Sequence, residues 1–406
     1  AWLHRQRGAY DEARPFAERS LALRETLRGP SHPEVAVALN NLAEVHAAMG
    51  DAGRAFMLQR RALAIREAAF GADHAETAGS LNNLAALHES LGQLAEAEPL
   101  LVRALAIHRA VYGEDHAETA QSLNNLGHLR LAQGRADEAH ALFAQALSRQ
   151  VHALGASHPT LGVTLNNLAG ALAQRGLPRA ALAVHAQALA LREQTLGPRH
   201  AAVAVSLNNL AVQHEALGAP ARALPLYRRA LAILQPAGGA PAVQPAPLAA
   251  VHTRLALWYA AHGLPKRPGA AGRRAGDALA VFHLKQAVNL SQRLRAGAAA
   301  LDAAAQSSLA RGVEPRYRRL AELLVRQGRL PEAEQVLALL KQQERHEFVR
   351  GDAQDAAAGS AQAELSAAER ELAAGLAANA ESLSRTQAEL EALEAGGDTA
   401  SPRRAQ

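Results

Sequence analysis

The stretch LNNLAEVHAAMGDAGRAFMLQRRALAIREAAFG, residues 39–71, contains the pattern that decides the fold. The pentapeptide LNNLA or LNNLG occurs five times, each 42 residues after the last, starting at Leu39, Leu81, Leu123, Leu165 and Leu207. Glycines keep the same period in two series, Gly8 to Gly218 and Gly29 to Gly239, which interleave at 21 residues. A register kept over so many positions indicates a tandem repeat.

Each half of the repeat has the pattern of one helix followed by a turn. In the first half Leu39, Leu42, Ala43 and His46 are spaced as one helical stripe. In the second half a small residue recurs at two fixed places, as Ala55, Ala97, Ala139, Ala181 and Ala223 and as Ala62, Ala104, Ala146, Ala188 and Ala230. Small residues let helix axes approach closely, and the glycines suit helix ends. The sequence therefore predicts antiparallel hairpins of a helix A and a helix B.

The repeats divide the chain into three predicted parts. Residues 1–239 hold the end of one repeat and five complete ones, with bounds 30–71, 72–113, 114–155, 156–197 and 198–239. Residues 240–352 hold degenerate repeats, since Leu255, Ala256 and Gly263 fit the helix A pattern three residues out of register, and Tyr317–Leu340 reads as a last hairpin. Residues 353–406 read as a linker, a heptad-like helix and a disordered tail.

Composition restricts the classes of function. Of the 406 residues 49% are hydrophobic but only 3% aromatic, so the core must be built mainly from alanine, leucine and valine. The absence of cysteine excludes disulfides, cysteine-ligated zinc and thiol nucleophiles within these residues. There is no nucleotide-binding or hydrolase motif, and no apolar run long enough to span a membrane. We therefore expect a cytoplasmic fragment that is not an enzyme and has no cofactor and no metal site.

The LNNLA motif, the 42-residue period, the HP or HA step before helix A and the ALAI of helix B resemble the kinesin light chain type of tetratricopeptide repeat, over about residues 1–263. This resemblance implies an all-α right-handed α-solenoid with a C-terminal helical extension, which binds proteins or peptides. HEAT and armadillo repeats have a similar period but fit the small-residue pattern less well. Pentatricopeptide RNA readers vary their recognition residues, whereas here the asparagine pair is constant.

The C-terminal part has a different signature. The segments LAVFHLKQAVNLSQRLRAG (279–297) and YRRLAELLVRQGRLPEAEQVLALLKQQERHEFVRGD (317–352) resemble the region before the caspase-like protease domain of bacterial CHAT proteins. In that family the repeats come first and a His/Cys protease follows. The resemblance implies that this chain is the sensing and docking part, and that its catalytic partner domain would follow Gln406.

The first asparagine of each LNN motif is the predicted peptide contact. It lies on the flank of the helix A stripe, and its carboxamide can both donate and accept hydrogen bonds to an extended peptide backbone. The predicted groove residues are Asn40, Asn82, Asn124, Asn166, Asn208, Glu44, Glu89, His128 and Glu215. The asparagines of kinesin light chain repeats do this work. Alternatively these asparagines bridge neighbouring hairpins, the role favoured for the second series, Asn41, Asn83, Asn125, Asn167 and Asn209.

Histidines also recur, at His32, His74, His116, His158 and His200. Equivalent positions in successive repeats should lie at least about 8–10 Å apart. They cannot share a zinc ion, whose ligands lie about 2.0–2.2 Å from the metal. Each histidine precedes helix A, and the residue before it, such as Ser31, Asp73, Asp115 or Ser157, is a plausible helix N-cap. The histidines are therefore predicted to be structural.

Two features leave alternatives open. Leucines 365, 372, 376, 383 and 390 follow a heptad spacing, so residues 365–393 form either a coiled-coil dimer or, as we prefer, a helix that packs on its own domain. Arginine pairs could instead dock the array on nucleic acid or a nucleoprotein, through Arg60, Arg61, Arg228, Arg229, Arg273 and Arg274. Because 43 basic residues are scattered among 38 acidic ones, for a net charge of +5, nucleic acid is the less favoured partner.

Overall fold

The computed structural model describes residues 10–235, 245–265, 269–299, 301–348, 362–371 and 373–374. These ranges consist of helices and short connections and contain no strand. The repeat region contains α1 (Tyr10–Arg28), α2 (Pro33–Met49), α3 (Ala52–Phe70), α4 (Ala75–Ser90), α5 (Leu94–Tyr112), α6 (Ala117–Ala132), α7 (Ala136–Leu154), α8 (Leu161–Gln174), α9 (Pro178–Leu196), α10 (Ala201–Ala216) and α11 (Pro220–Leu234). The C-terminal region contains α12 (Pro245–His262), α13 (Gly269–Gly297), α14 (Ala303–Arg326) and α15 (Leu330–Phe348).

The repeat pattern forms the hairpins that the sequence predicts. Helices α2, α4, α6, α8 and α10 are helices A, and each packs on the helix B that follows it. Each helix B also packs on the next helix A, so the hairpins stack in one continuous solenoid. The all-α solenoid prediction is confirmed.

The turn glycines and the packing alanines occupy the places expected of them. Described glycines of both series have φ between +72° and +93°, the left-handed region in which a side chain is strained. At Gly50 this conformation ends α2, and the N–H groups of Gly50 and Asp51 donate to the carbonyls of Ala47 and His46. The two recurrent alanine series are fully buried, from Ala55 to Ala230. A larger side chain at such a contact would cost about 1–3 kcal/mol.

Four of the five recurrent histidines are themselves helix N-caps, and this corrects the sequence prediction, which assigned the cap to the preceding Ser or Asp. The exception is His158, because the N-cap of α8 is Thr160. His32, His74, His116 and His200 are the N-cap residues of α2, α4, α6 and α10. In each the ring Nδ1 accepts the backbone N–H two residues later, at 3.1–3.2 Å. An imidazole Nδ1 two bonds beyond Cβ has the reach of a short polar cap. The structural role predicted for these histidines is confirmed.

The C-terminal helices continue the stack. The hairpin α12–α13 follows the fifth repeat, and α14–α15 form another hairpin packed on α13. One hydrophobic core runs without a break from Val203 in α10 to Leu340 in α15 and includes Ala363. The predicted boundary at residue 239 separates two sequence patterns, whereas the core spans both sides of it. Residues 236–244, 353–361 and 375–406, which include most of the predicted linker and the tail, lie outside the described residues.

The solenoid also closes on itself, a contact that the repeat pattern does not predict. The end of α13 crosses the α2–α3 turn so tightly that a methyl group on Gly297 would overlap the backbone of Gly50. Nearby, Leu91 at the end of α4 packs with Ala298, Leu301 and Ala305. The α13–α14 connection therefore lies against the first two repeats.

Candidate peptide-binding groove

The second asparagine of each LNN motif marks the open face of helices A. These side chains are half-buried: Asn41, Asn83, Asn125, Asn167 and Asn209. Three residues later, on the same helix face, Glu44, Ala86 and His128 are exposed. Helices α4, α6, α8 and α10 contact one another in sequence. Their partly exposed positions therefore form a row that crosses the array.

At the first two repeats this row forms one wall of a cavity of about 600 Å³. Ligand pockets span about 300–1,000 Å³. Glu44 and Asn83 line it from helices A, together with Glu89 at the end of α4. The opposite wall comes from α13 and α14 and includes Leu294, Ser308, Leu309 and Arg316. Two of the predicted groove residues, Glu44 and Glu89, are thus brought to one site, and the C-terminal wall was missed by sequence reasoning.

The first asparagines are placed differently from the prediction. Asn40, Asn82, Asn124 and Asn166 are only 3–8% exposed. The Nδ2 of Asn82 donates to Ser122 at 3.0 Å, and that of Asn166 donates to Ser206 at 2.7 Å, in both cases in the next repeat. Asn124 accepts from Asn167 at 3.1 Å. Because these amides are covered by neighbouring hairpins, they hold the repeats together and are not presented to a ligand.

Asn40 and Asn208 are the first and last members of this series. Asn40, with its amide oriented to satisfy its neighbours, donates to Gln59 at 2.7 Å and accepts from Arg66 at 3.0 Å. Asn208 is half-buried, and its Nδ2 lies 3.4 Å from Oδ1 of Asn209. Inter-repeat bonding, which the sequence assigned mainly to the second asparagine, therefore falls mainly on the first.

A polar side chain of helix B completes each junction between repeats, and sequence reasoning missed it. It lies 14 residues before a Ser or Thr of the next helix A and bonds to it. The pairs are Arg66–Ser80 at 2.9 Å, His108–Ser122 at 2.8 Å, Gln150–Thr164 at 2.7 Å and Arg192–Ser206 at 2.9 Å. All eight side chains are buried. The 14-residue spacing was visible in the sequence, but the helix B residue changes its type at every repeat.

His128 and Glu89 form a bridge across the groove between α6 and α4. Nδ1 of His128 lies 2.5 Å from the Glu89 carboxylate. The hydrogen bond that the His128 ring donates to the Glu89 carboxylate raises the pKa of His128 above its ordinary value, against the opposing effect of desolvation. The remaining predicted groove residue, Glu215, accepts from the hydroxyl of Tyr227 at 2.5 Å within its own hairpin.

Arg316 supplies the cationic side of the cavity. Its Nη1 donates to the Ser291 hydroxyl at 2.7 Å, and burial lowers the pKa of its guanidinium. The cavity is therefore bipolar, with carboxylates on the helix A wall and a positioned guanidinium on the C-terminal wall.

The arginines of the nucleic-acid alternative lie on three helices, α3, α11 and α13, and several are engaged within the protein. Arg61 pairs with Glu25 at 2.6 Å, and Arg229 pairs with Glu193 at 2.6 Å. Arg228 donates to the hydroxyl of Tyr259 at 2.9 Å. These partners reduce the positive charge available to a phosphate backbone.

No group of three or more His, Asp or Glu side chains among the described residues could hold a metal ion. Among the helices described, none has the length and apolar character needed to cross a bilayer.

Of the heptad segment, residues 365–371 with 373 and 374 are described, and 362–371 pack on the chain's own helices. The rest of 365–393 lies outside the described residues.

Comparison with known families gives one match. The sequence pattern of the tetratricopeptide repeat family matches residues 1–68, 34–107, 76–150 and 160–235, which together exceed half of the chain. No curated protein has a sequence that matches this chain.

Three solved structures are similar. Nearly identical repeats of a protein described as a kinesin light chain of Podosopora anserina share 26% identity, with a TM-score of 0.40, over 50% of this chain and 96% of that one. BtubC (BKLC) of P. vanneervenii shares 23% identity, with a TM-score of 0.44, over 59% and 90% of the two chains. The Rap conjugation gene regulator of plasmid pLS20, in complex with the Phr* peptide, shares 14% identity, with a TM-score of 0.50, over 79% and 78%.

Proposed function

Because this chain belongs to the tetratricopeptide repeat family, we propose that it is a protein-interaction module that binds an extended peptide along helices A and has no catalytic function of its own. One observation carries the proposal. The second asparagines form a regular row of half-buried carboxamides beside the cavity between the first repeats and the C-terminal helices. Repeats of this family mediate protein–protein interaction.

The spacing of the row suits a peptide backbone. Packed helices lie about 8–10 Å apart, and an extended chain advances about 3.3 Å per residue. Successive asparagines would therefore meet about every third residue of the ligand. Each carboxamide can donate to a carbonyl and accept from an N–H, so it grips the backbone whatever the sequence. Glu44, His128 and Arg316 would then select among ligand side chains.

The fold itself is compatible with such a ligand. The Rap regulator, which shares the fold at 14% identity, was solved in complex with a peptide. That likeness concerns the fold alone, so the choice of peptide by this chain rests on its own side chains.

The groove can be tested with peptides selected from a random displayed library against the whole chain. We expect the double variant Asn83→Ala/Asn125→Ala to bind a selected peptide at least tenfold more weakly in fluorescence anisotropy, with an unchanged helical CD spectrum. The matched control, Gln145→Ala/Gln187→Ala, removes two exposed carboxamides from helices B and should bind like the native chain. Equal affinity for all three proteins, or no peptide selected at all, contradicts the groove.

The regulatory part of the proposal concerns a protease. The resemblance of residues 279–297 and 317–352 to the region before a CHAT domain supports a bacterial, cytoplasmic protein in which occupancy of the groove is relayed to a caspase-like domain. Helices α13 and α14 line the cavity, which gives a bound peptide a direct contact with that region. Expression of the complete parent protein, with and without a selected peptide, tests the relay. Peptide-independent proteolysis, or no encoded His/Cys pair, contradicts it.

A dimer through residues 365–393 stays a separate prediction. Sedimentation velocity of the native chain and of a Leu383→Glu/Leu390→Glu variant checks it. A concentration-dependent dimer that the variant abolishes supports the coiled coil, whereas a monomer in both contradicts it.

A further inference from the structure

Residues 362–371 return to the helical domain and lie against α13 and α15. Residues 362–366 are not helical, and a helix starts at residue 367. The residues that hold this segment, on α13, lie 74–84 positions earlier in the chain. The segment therefore docks through tertiary contacts of the kind that a peptide ligand makes.

Asn289 of α13 holds the backbone of the segment. Its Nδ2 donates to the carbonyl of Ala363 at 3.1 Å, and its Oδ1 accepts the N–H of the same residue at 2.8 Å. One carboxamide thus satisfies both backbone groups of one residue, as a neighbouring strand would. The Ala363 methyl is buried in the main core, so the position accepts a small side chain.

Lys285 of α13 recognises the charge of the segment. It is only 1% exposed. Its Nζ donates to the carbonyl of Glu364 at 2.6 Å and to the carboxylates of Glu332 at 2.6 Å and Glu369 at 2.8 Å. All three ammonium donors are therefore used, and two of the three acceptors belong to the docked segment.

Glu369 is bound from three sides. Besides Lys285, Arg329, the residue immediately before α15, reaches its Oε1 at 2.9 Å, and the N–H of Ser366 donates to its Oε2 at 2.8 Å. The hydroxyl of Ser366 accepts the N–H of Glu369 at 3.3 Å, so the pair forms a reciprocal helix cap. Burial raises the pKa of Glu369, but the hydrogen bonds from Lys285, Ser366 and Arg329 outweigh it and hold the pKa below its ordinary value.

Without residues 362–371, the cleft has an excess of positive charge. On the domain side, Lys285 and Arg329 face a single carboxylate, that of Glu332. A buried lysine is seldom found without compensation, and removal of one member of a buried ion pair is strongly destabilising. The Glu369 carboxylate balances the two cations. The cleft is therefore complementary to an acidic peptide and not to a neutral one.

We propose that the cleft between α13 and α15 is a second peptide-recognition site. It recognises a small residue and, starting three residues later, the sequence Ser-x-x-Glu at a helix start, and it is filled here by the chain's own residues 362–371. The Asn289 amide binds the peptide backbone, the core accommodates the small side chain, and Lys285 and Arg329 bind the carboxylate. The same segment supplied in trans competes for the site. This site is separate from the groove of helices A, so neither proposal rests on the other.

The test uses the whole chain and a fluorescent peptide of sequence QAELSAAERE, residues 362–371. The native chain should bind it weakly, because the internal segment competes. Chain variant Glu369→Gln weakens the internal competitor, so we expect it to bind the native-sequence peptide at least tenfold more tightly. Adding Asn289→Ala or Lys285→Met to that variant should abolish binding, with CD spectra checking the fold of each.

Matched changes in the peptide separate recognition from general charge attraction. Glu369→Gln in the peptide should weaken binding at least tenfold. Glu364→Gln should have no effect, because only the backbone carbonyl of that residue is bound, and Glu371→Gln, at an exposed position, should have none either. The proposal is overturned if native and Glu369→Gln chains bind the peptide equally, or if all three peptide changes weaken binding to the same extent.

Discussion

At the scale of single residues, the first and second asparagines of the LNN motif lie in different environments, as Asn166 and Asn83 illustrate. Asn166 is 6% exposed, donates to Ser206 and accepts from Nδ1 of His185 at 2.8 Å. Asn83 is half-buried and lines the cavity. One amide is part of a buried network between repeats, and the other faces the space in which a ligand would lie.

This contrast predicts different costs of truncation. Asn166→Ala leaves buried polar atoms of His185 and Ser206 with fewer partners, and should lower the free energy of unfolding by about 1–3 kcal/mol. Asn83→Ala should change it by no more than about 0.5 kcal/mol. Urea unfolding followed by CD measures both. Equal losses would mean that the two positions have the same environment.

The Glu89–His128 bridge predicts a pH dependence. Since the hydrogen bond that His128 donates to Glu89 raises the pKa of His128, the stabilisation is fully present below the ordinary histidine pKa of about 6.5. It is lost as pH rises through the folded-state pKa. NMR titration should place the His128 pKa above that of an ordinary histidine, and Glu89→Gln should bring it down. An unchanged titration in Glu89→Gln would show that the bridge does not form in solution.

The sequence could identify the asparagine pair as special, but not whether the first member is open to a ligand. At 100° per residue the first asparagine lies on the flank of the Leu39–Leu42 stripe and the second nearly opposite its centre, but periodicity gives angles around one helix only. Whether a flank is covered depends on the neighbouring helix A, which is distant in sequence. Asn82, for example, bonds to Ser122, 40 residues later. Helical angle alone cannot determine that distinction.

At the scale of elements, helix bounds were the most predictable feature, because the glycine series fixes each helix end. The start of helix A was predicted less well, since Ser and Asp are common N-caps and drew attention away from the histidine. Asp115 illustrates this. It is a plausible cap by residue type, yet its side chain is 79% exposed and lies 3.8 Å from Arg149.

The corrected cap can be checked in the third repeat. His116→Ala removes the Nδ1 that accepts the N–H of Glu118 and should cost about 1 kcal/mol. Asp115→Ala, at the neighbouring position, should cost less than about 0.5 kcal/mol. Thermal and urea midpoints of the two variants give the comparison. A larger loss of stability in Asp115→Ala than in His116→Ala would show that the aspartate caps the helix.

At the scale of the whole molecule, the period of 42 residues predicts an array but not its closure. Each repeat packs on the next by the same contacts, so local rules extend the solenoid. The contact between Gly50 and Gly297 joins segments about 250 residues apart, and α13 is outside the periodic region. No spacing in the sequence relates the segment around Gly50 to that around Gly297. Their contact nevertheless brings the second wall of the cavity into place.

The close contact between α13 and the first repeats predicts the effect of adding one methyl group at Gly297. Gly297→Ala would place a carbon 2.8 Å from the Cα of Asp51 and into the backbone of Gly50. Neither backbone can move without displacing a helix, so the α13–α14 connection should separate from the first repeats. The chain has no cysteine, so two labelled cysteines placed at exposed Arg54 and Arg311 can report the separation by energy transfer. We expect a longer distance in Gly297→Ala than in the native sequence.

Gly312→Ala is the matched control, because Gly312 is in the middle of α14 and a methyl group there meets nothing within 4 Å. It should leave the label distance unchanged and, as a Gly→Ala change inside a helix, raise stability by about 0.5–1 kcal/mol. If closure shapes the groove, Gly297→Ala should also weaken a selected groove peptide while the QAELSAAERE site between α13 and α15 keeps its affinity. An unchanged distance in Gly297→Ala would show that the first repeats and α13 do not meet in solution. The cavity would then be an open face of helices A.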